Sequence, residues 1–297
     1  MDTLKAEAFL RSVELGSIMA AAEDLGYTPS GVNRMINSLE EELDTKLLQR
    51  GRNGVGLTPA GEELLPMIRE FFLDGNAVLE KCSDMNGLIS GRLVVGSYYC
   101  VAAEWLPGII SGFLERYPGI DIDIAENSTV ELTRALMTSR INCCFMSAPD
   151  NSVIPFTPLT TDPIVAWLPM DNPYAKESTF PMDRISQFPY IEVLKGTETD
   201  AERVMKSRNI CPKVKYTTRD QFTAYCMVNA GLGIVLNNSL VTKSWHLNVV
   251  TLPIEPAADI TIGIAVPPYT KPSPATKKFI QFTQNYLKNN IFNSQNS

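Results

Sequence analysis

The sequence contains few of the residues from which metal centres and catalytic sites are built. His246 is the only histidine in the 297 residues, and the six cysteines are scattered without CxxC spacing. A zinc or iron site needs a tighter group of ligands than this. The sequence also has no nucleophile elbow and no glycine-rich phosphate loop. We therefore expect reduced thiols, no metal, no cofactor and no enzymatic activity.

Long apolar runs are missing as well. No stretch reaches the ~18 uninterrupted apolar residues of a membrane-spanning helix. The opening residues, MDTLKAEAFLRSVELGS, carry acids and have no apolar run flanked by positive charge, which does not fit a secretory signal. The sequence therefore predicts a cytoplasmic protein without a membrane partner.

Positive charge is scarce, especially near the N-terminus. The formal net charge is −7, and residues 1–65 hold eleven acidic against six basic side chains. The six cations are Lys5, Arg11, Arg34, Lys46, Arg50 and Arg52. This balance argues against nucleic-acid binding through bulk electrostatics. A DNA-binding function must therefore depend on where these few cations lie.

The residue pattern changes character twice along the chain, and at this length two or three domains are expected. It is helical with short breaks at first, and then continues as one long helix. From Arg92 onward, short apolar runs alternate with helical stretches, which is typical of an α/β domain with largely parallel sheets. We predict three parts, comprising residues 1–58, a linker helix with a hinge over 59–90, and a large domain over 91–297.

The third predicted helix of residues 1–58 has one apolar and one polar face. Thr28 can cap it, and Pro29 occupies its first position, where a missing N–H group costs nothing. The inward face follows the i, i+3, i+4, i+7 rule and consists of Val32, Met35, Ile36 and Leu39. The outward face consists of Ser30, Asn33, Arg34 and Asn37.

The outward face has the composition of a helix that reads DNA in the major groove. Arginine pairs with guanine and asparagine with adenine. The alternative is a solvated surface helix, which would usually be rich in Glu and Lys. No acid occurs from Pro29 to Leu39, and the acids begin only at Glu40. We favour DNA reading, with contacts from Thr28, Pro29, Ser30, Asn33, Arg34 and Asn37.

A hairpin is predicted after this helix. Two extended segments, 46–50 and 55–58, are joined by Gly51-Arg52-Asn53-Gly54, and Asn-Gly is a strong hairpin signal. Such a wing would bring Arg50 and Arg52 near DNA phosphates. The alternative is a structural hairpin whose arginines are incidental.

The long helix carries a heptad pattern. Apolar or small residues recur with +4 and +3 steps at Leu64, Ile68, Phe71, Gly75, Val78, Cys82 and Met85. This pattern predicts pairing with the same helix of a second copy, mainly through Leu64, Ile68, Phe71 and Val78. Gly75 weakens the pattern, and Pro66 is expected to kink the helix. The alternative is a helix docked on its own chain.

These segments together resemble the LysR-type transcriptional regulators. In the first part the resemblance lies in Phe9, Gly16-Ser17, AAEDL (21–25), Tyr27-Thr28, VNRMI (32–36), LEEEL (39–43), LLQR (47–50) and LTPAG (57–61). It continues through GRLVVG (91–96), Leu106-Pro107, Tyr117-Pro118 and AGLGI (230–234). The resemblance therefore spans nearly the whole chain.

The resemblance implies an α/β fold with an N-terminal winged helix-turn-helix, a dimerising linker helix and two Rossmann-like subdomains similar to periplasmic binding proteins. The first subdomain would comprise about 91–162 and 268–291, and the second about 163–267. It further implies a sequence-specific DNA-binding regulator modulated by a small-molecule effector bound between these subdomains. Homodimers, pairs of dimers and contact with RNA polymerase would follow. A solute-binding protein and an enzyme are the competing function classes.

The chain departs from the family pattern at three places. The family usually has glutamine and serine where this chain has Pro29 and Asn33, and Asn237 replaces a common proline. Peroxide sensors of the family carry a reactive cysteine after the glycine that matches Gly196, whereas this chain has Thr197 there. No peroxide-sensing disulfide is therefore expected.

The effector residues are predicted at strand ends, where open parallel sheets bind ligands. They are Ser97, Tyr98, Tyr99, Cys100, Thr129, Ser147, Gly196 and Thr197. Hydroxyl and N–H groups at helix starts favour an anion such as a carboxylate, whereas ordinary helix capping is the alternative. Tyr98 or Tyr99 could enclose an apolar ligand body, and Cys100 could react with an electrophile.

Overall fold

The chain divides into two units in the computed structural model, which describes residues 1–51, 54–85, 90–149 and 153–292. One unit is Met1–Gly91 with Thr270–Ala275, and the other is Arg92–Tyr269 with Thr276–Ser297. The three predicted parts, and the split of the larger one into two subdomains, stay predictions.

Three helices form the start of the first unit: α1 (Thr3–Leu15), α2 (Ile18–Leu25) and α3 (Pro29–Glu42). Each begins at a side chain that accepts a hydrogen bond from the backbone of the first turn, and these caps are Asp2, Ser17 and Thr28. The cap predicted at Thr28 is thus confirmed. Capping satisfies N–H groups that have no partner within the helix.

The apolar face of α3 packs into the core of this unit as the spacing predicts. Val32, Ile36 and Leu39 are buried in one cluster with residues of α1, including Phe9 and Leu10. Met35 packs against the same cluster and is partly buried. The burial of this stripe leaves the opposite face of α3 directed to solvent.

The predicted wing is confirmed as an antiparallel pair of β1 (Leu48–Gly51) and β2 (Gly54–Leu57). The turn end of β2 is attached to the turn after α1, because the Val55 N–H donates to the Gly16 carbonyl at 2.9 Å. A Cβ on Gly54 would collide with that carbonyl oxygen, and its φ of +113° also favours glycine. Arg52, proposed at the wing tip, lies outside the described residues.

Helix α4 (Pro59–Met85) corrects part of the predicted dimer pattern. Ile68 is only 3% exposed and belongs to the core of its own chain, so it has no surface left for a partner. Leu64 and Phe71 pack against the same core and are partly buried. A Cβ on Gly75 would collide with Thr3, so this glycine lets α4 cross α1 closely. The N-terminal part of α4 is therefore docked on its own chain.

The second unit is an α/β fold. Its elements are β3 (Ser90–Ser97), α5 (Tyr99–Glu104), α6 (Leu106–Arg116), β4 (Gly119–Glu126), α7 (Thr129–Met137), β5 (Cys143–Ser147), β6 (Phe156–Pro169), β7 (Phe180–Pro181), β8 (Pro189–Val193), α8 (Asp200–Ser207), β9 (Lys213–Thr218), α9 (Gln221–Asn229), β10 (Val235–Asn238), β11 (Val249–Glu255), β12 (Asp259–Ala265) and α10 (Pro274–Leu287). The expected alternation of strands and helices is confirmed. The sheets are mixed rather than largely parallel, because β10, β11 and β12 pair antiparallel with β6.

Strand β6 connects two sets of strands. The strand order is β4-β3-β5-β12-β6-β11-β7, and β10 also pairs with β6, while β8 and β9 form a parallel pair. The early part of β6 pairs with β12 and its later part with β10 and β11. The two sets of strands have separate apolar clusters, one around Leu132 and Met146 and one around Leu168 and Phe180.

A buried carboxylate joins the end of α3 to the wing. Glu40 is 5% exposed and accepts hydrogen bonds from the backbone N–H groups of Leu47 at 2.9 Å and Leu48 at 3.0 Å. Lys46 is its ion-pair partner. Burial opposes ionisation, but the hydrogen bonds from Lys46 and the two N–H groups outweigh it and lower the pKa of Glu40.

We predict that Glu40→Gln lowers the free energy of unfolding by about 1–3 kcal/mol, because an amide cannot accept all three hydrogen bonds. The Glu40 contribution should be complete above its ordinary pKa of 4.5 and be lost as the pH falls below that value. Urea unfolding at pH 7 and at acidic pH measures both effects.

The matched controls are Glu41→Gln at an exposed site and Lys46→Gln, whose side chain is 73% exposed. Each should cost less than about 1 kcal/mol, because exposed ion pairs contribute little. Equal losses for Glu40→Gln and Lys46→Gln would show that the backbone hydrogen bonds are unimportant.

Candidate functional site

The outward face of α3 is open to solvent. Thr28, Pro29, Ser30, Arg34 and Asn37 are exposed, and Asn33 is half-buried. The Thr28 hydroxyl accepts from the Gly31 N–H at 3.1 Å and also lies 3.1 Å from the Ser30 hydroxyl. All six predicted side chains thus lie along one side of a helix whose other side is fixed in the core.

Several cations of the first unit are paired with neighbouring acids. Lys5 pairs with Glu42, and Lys46 pairs with Glu40. Arg11 pairs with Asp24 at 2.6 Å and with Glu14 at 3.0 Å, and the hydrogen bond that Arg11 donates to Asp24 is the main cause of its raised pKa. Buried Arg69 of α4 also contacts Glu14, at 2.9 Å.

Arg34 differs from these cations. It is exposed, and no acid pairs with it in the part of the chain that the structure describes. The structure places Arg50 in β1 opposite Val55. Arg34, unpaired among the described residues, therefore projects from the face of α3 that carries Asn33 and Asn37.

In the second unit, the starts of two helices are occupied by their own side chains. Ser128 and Glu131 form a capping box at α7, and Thr199 and Glu202 form one at α8. Thr129 is the first residue of α7. Because these N–H groups already have partners, an anion could bind them only by displacing the caps.

A network of polar side chains, the polar cluster, connects β5, β6, α8 and β10. It comprises Tyr98, Ser147, Asp162, Asp200, Arg203 and Asn238. Arg203 donates to the Ser147 hydroxyl at 2.7 Å and pairs with Asp200, whose carboxylate also accepts from the Asn238 amide at 3.1 Å. This network links residues that are 38 to 56 positions apart in sequence.

Asp162 forms the second acidic position of the polar cluster. It is 5% exposed and accepts from the Ser239 hydroxyl at 2.5 Å and from the Leu240 N–H at 3.2 Å. Burial raises the pKa of Asp162, and the nearby Asp200 carboxylate raises it further, against the effect of these hydrogen bonds. Asp162 is therefore held by the chain itself.

Tyr98 and Cys100 lie beside these two carboxylates. The buried Tyr98 hydroxyl has no hydrogen-bond partner of normal geometry among the described residues. Burial raises the pKa of Tyr98 far above its usual range, and Cys100 and Asp200 raise it further. Burial likewise raises the pKa of the Cys100 thiol, which favours the thiol over the reactive thiolate. A role of Cys100 in sensing electrophiles stays a prediction.

The other predicted effector residues do not all join the polar cluster. Ser97 is buried and donates to the Tyr98 carbonyl, while the Tyr99 ring packs on Trp245 at 5.8 Å. Gly196 and Thr197 line a cavity of about 530 Å³ whose lining comes only from residues 190–214. The predicted set therefore does not form a single site.

Sequence analysis missed Asp200, Arg203 and Asn238. Asp200 and Arg203 are spaced i, i+3 on α8 directly after a capping threonine, which resembles an ordinary surface ion pair. They differ from a surface ion pair only because α8 packs beside buried strands, which the sequence does not show. Among the described residues, no group of His, Cys, Asp and Glu could hold a metal ion, and none of the described helices is long and apolar enough to cross a membrane.

Comparison with known proteins gives consistent matches over the whole chain. The family model "Bacterial regulatory helix-turn-helix protein, lysR family" matches residues 5–62, and the "LysR substrate binding domain" matches residues 86–288. The uncharacterized HTH-type transcriptional regulator YvbU of Bacillus subtilis is 26% identical, covering 96% of this chain and 98% of its own length.

Solved structures share the fold. A full-length OxyR variant from Pseudomonas aeruginosa has a TM-score of 0.77 at 18% identity, covering 97% of this chain and 95% of that one. Full-length CbnR, solved in complex with its target DNA, has a TM-score of 0.61 at 18% identity, covering 96% and 99%. The chain therefore belongs to the LysR family, and it is a DNA-binding transcription regulator with an effector-binding domain.

Proposed function

We propose that this regulator reads duplex DNA with the outward face of α3 and responds to an effector held at the polar cluster of the second unit. The observation that carries the first part is the exposed, unpaired Arg34 in a region whose other described cations meet acids. DNA phosphates and guanine edges would supply the hydrogen-bond acceptors that Arg34 lacks among the described residues of the chain.

The roles of individual side chains follow from their chemistry. Arg34 is proposed to contact guanine, and Asn33 and Asn37 to contact adenine or the backbone. Thr28, Pro29 and Ser30 at the start of α3 would fix its register against phosphates, where the positive end of the helix dipole is favourable. Arg50 and Arg52 of the wing are proposed to contact phosphates without selecting sequence.

A second copy of the chain is proposed to pair through the C-terminal part of α4. Val78 and Leu79 are 62% and 63% exposed, and Cys82 on the same face is exposed too. Pairing of these faces would remove apolar surface from water, which the single chain leaves exposed. Pairs of dimers, contact with RNA polymerase, a cytoplasmic location and action by binding without catalysis complete the proposal.

For DNA reading, we predict that Arg34→Ala lowers operator discrimination by about 1–3 kcal/mol per half-site, since it removes one bidentate contact. Arg34→Lys should keep most of the affinity for nonspecific DNA but lose the same discrimination, because lysine retains the charge without the planar fork. Binding to the chain's own upstream DNA and to scrambled duplexes, measured across salt concentrations, gives both quantities.

Arg50→Ala is the comparison variant for this test. It should weaken binding to both duplexes alike and reduce the slope of log affinity against log salt by about one. Full operator affinity and preference in Arg34→Ala would contradict the assignment of α3 as the recognition helix.

For assembly, we predict that Val78→Asp combined with Leu79→Asp raises the dimer dissociation constant more than about tenfold, because charges replace apolar contacts at the interface. Thermal unfolding of the isolated chain should change little, since both side chains are exposed in it. Sedimentation velocity at micromolar concentration measures the shift.

Met19→Asp is the matched control, because Met19 is 70% exposed on α2, away from α4. Ile68→Asp, by contrast, should unfold the first unit, since it buries a charge in the core. A dimer that persists in the double variant would show that α4 pairs through other residues or that another surface holds the dimer.

A further inference from the structure

We infer that the effector is an α-amino acid, whose amino group is bound by Asp200 and whose carboxylate is bound by Arg203. This inference rests on the proposed effector role of the polar cluster and specifies the chemistry of its ligand. The balance of charge in the polar cluster, which the sequence alone did not reveal, determines which ligand fits.

The polar cluster carries more negative than positive charge. Asp162 is 5% exposed, and the side chains of Asp200 and Arg203 are 8% and 26% exposed. Two carboxylates therefore stand against one guanidinium in a largely buried place. A ligand with only a carboxylate would bring a third negative charge beside them, and repulsion between such charges is strong where water is scarce. The simple anion suggested by the helix starts is therefore disfavoured.

The other two charges of the polar cluster, Asp200 and Arg203, lie side by side and are paired with each other, and Asp200 also accepts from Asn238. Asp162 is held by Ser239 and Leu240, whereas Asp200 and Arg203 are adjacent on α8 and in direct contact. A complementary ligand must therefore carry its own positive and negative groups close together. An amino and a carboxylate group on one carbon atom meet this requirement, and groups at opposite ends of a long chain do not.

Arg203 is positioned to accept the carboxylate. It now donates to the neutral Ser147 hydroxyl at 2.7 Å, which joins α8 to the end of β5. A carboxylate would replace this contact with a charge-assisted hydrogen bond, which is about twice as strong as a neutral one. Binding would therefore exchange the direct link between α8 and β5 for one through the ligand, and this exchange would report the ligand to the rest of the unit.

The Tyr98 hydroxyl is a second, independent pointer to a ligand. It is buried without a hydrogen-bond partner of normal geometry among the described residues, and both carboxylates of the cluster act on it electrostatically. A buried hydroxyl in this state is unfavourable unless another molecule satisfies it. The amino or carboxylate group of an amino acid can donate to it or accept from it.

The ligand class is tested on the full chain by thermal unfolding with each of the twenty L-amino acids at millimolar concentration. At least one should raise the melting temperature, as a bound ligand stabilises the folded state by mass action. Each hit is then compared by calorimetry with its 2-oxo acid, which lacks the amino group, and with its decarboxylated amine. Both analogues should bind at least about tenfold more weakly.

Two variants test the site. Tyr98→Phe should keep the melting temperature of the ligand-free protein and weaken amino-acid binding about tenfold, whereas a structural role would lower stability instead. Asp200→Asn should reduce the preference for the amino acid over its 2-oxo acid about tenfold. Asp220→Asn is the matched control, since Asp220 caps α9 outside the polar cluster, and it should change neither binding nor preference.

The outcomes separate this inference from the proposed function. If the 2-oxo acid or the amine binds as tightly as the amino acid, or no amino acid stabilises the chain, the ligand class is wrong. If Tyr98→Phe weakens the compound that does bind, the polar cluster remains the effector site. If neither Tyr98→Phe nor Asp200→Asn changes the affinity of a compound that binds, the effector is not held at the polar cluster, and the proposed site is wrong as well.

Discussion

The buried carboxylate of Glu40 is the interaction on which the arrangement of the first unit depends. It holds the last turn of α3 against the backbone of the wing, so the helix and the hairpin form one rigid surface. It also takes up Lys46, as other acids take up Lys5 and Arg11. The acidic excess that argued against DNA binding in bulk thus has a structural use, because these acids pair with neighbouring cations, whereas Arg34 has no acidic partner among the described residues.

Local signals in the sequence were sufficient to predict much of the first unit. Thr28 caps a helix as expected, and β1 ends at Gly51 and β2 begins at Gly54, on either side of the predicted turn. The heptad pattern failed at Ile68 for a physical reason. An apolar stripe along a helix is buried equally well by its own chain or by a partner, and the spacing does not distinguish the two.

The polar cluster that we propose as the effector site was predictable only in part, because it is built from distant segments. Strand-end reasoning found Tyr98 and Ser147, which do belong to the polar cluster. It could not find Asp200 and Arg203, since their burial depends on β5 and β10 packing beside α8. The same reasoning predicted an anion at the helix starts. It could not show that capping boxes already occupy the starts of α7 and α8, because these boxes depend on side-chain positions that only the structure gives.

The docking of α4 on its own chain has a mechanical consequence. Ile68 lies in the same core as α3, Arg69 is tied to Glu14 on α1, and Gly75 lies against Thr3. A helix fixed at three successive points cannot turn independently of α3. A small rotation at the far end of α4 would therefore also displace the outward face of α3, so that α4 acts as a lever. In a dimer, such a lever would convert a change in helix crossing angle into a change in the distance between two DNA half-sites.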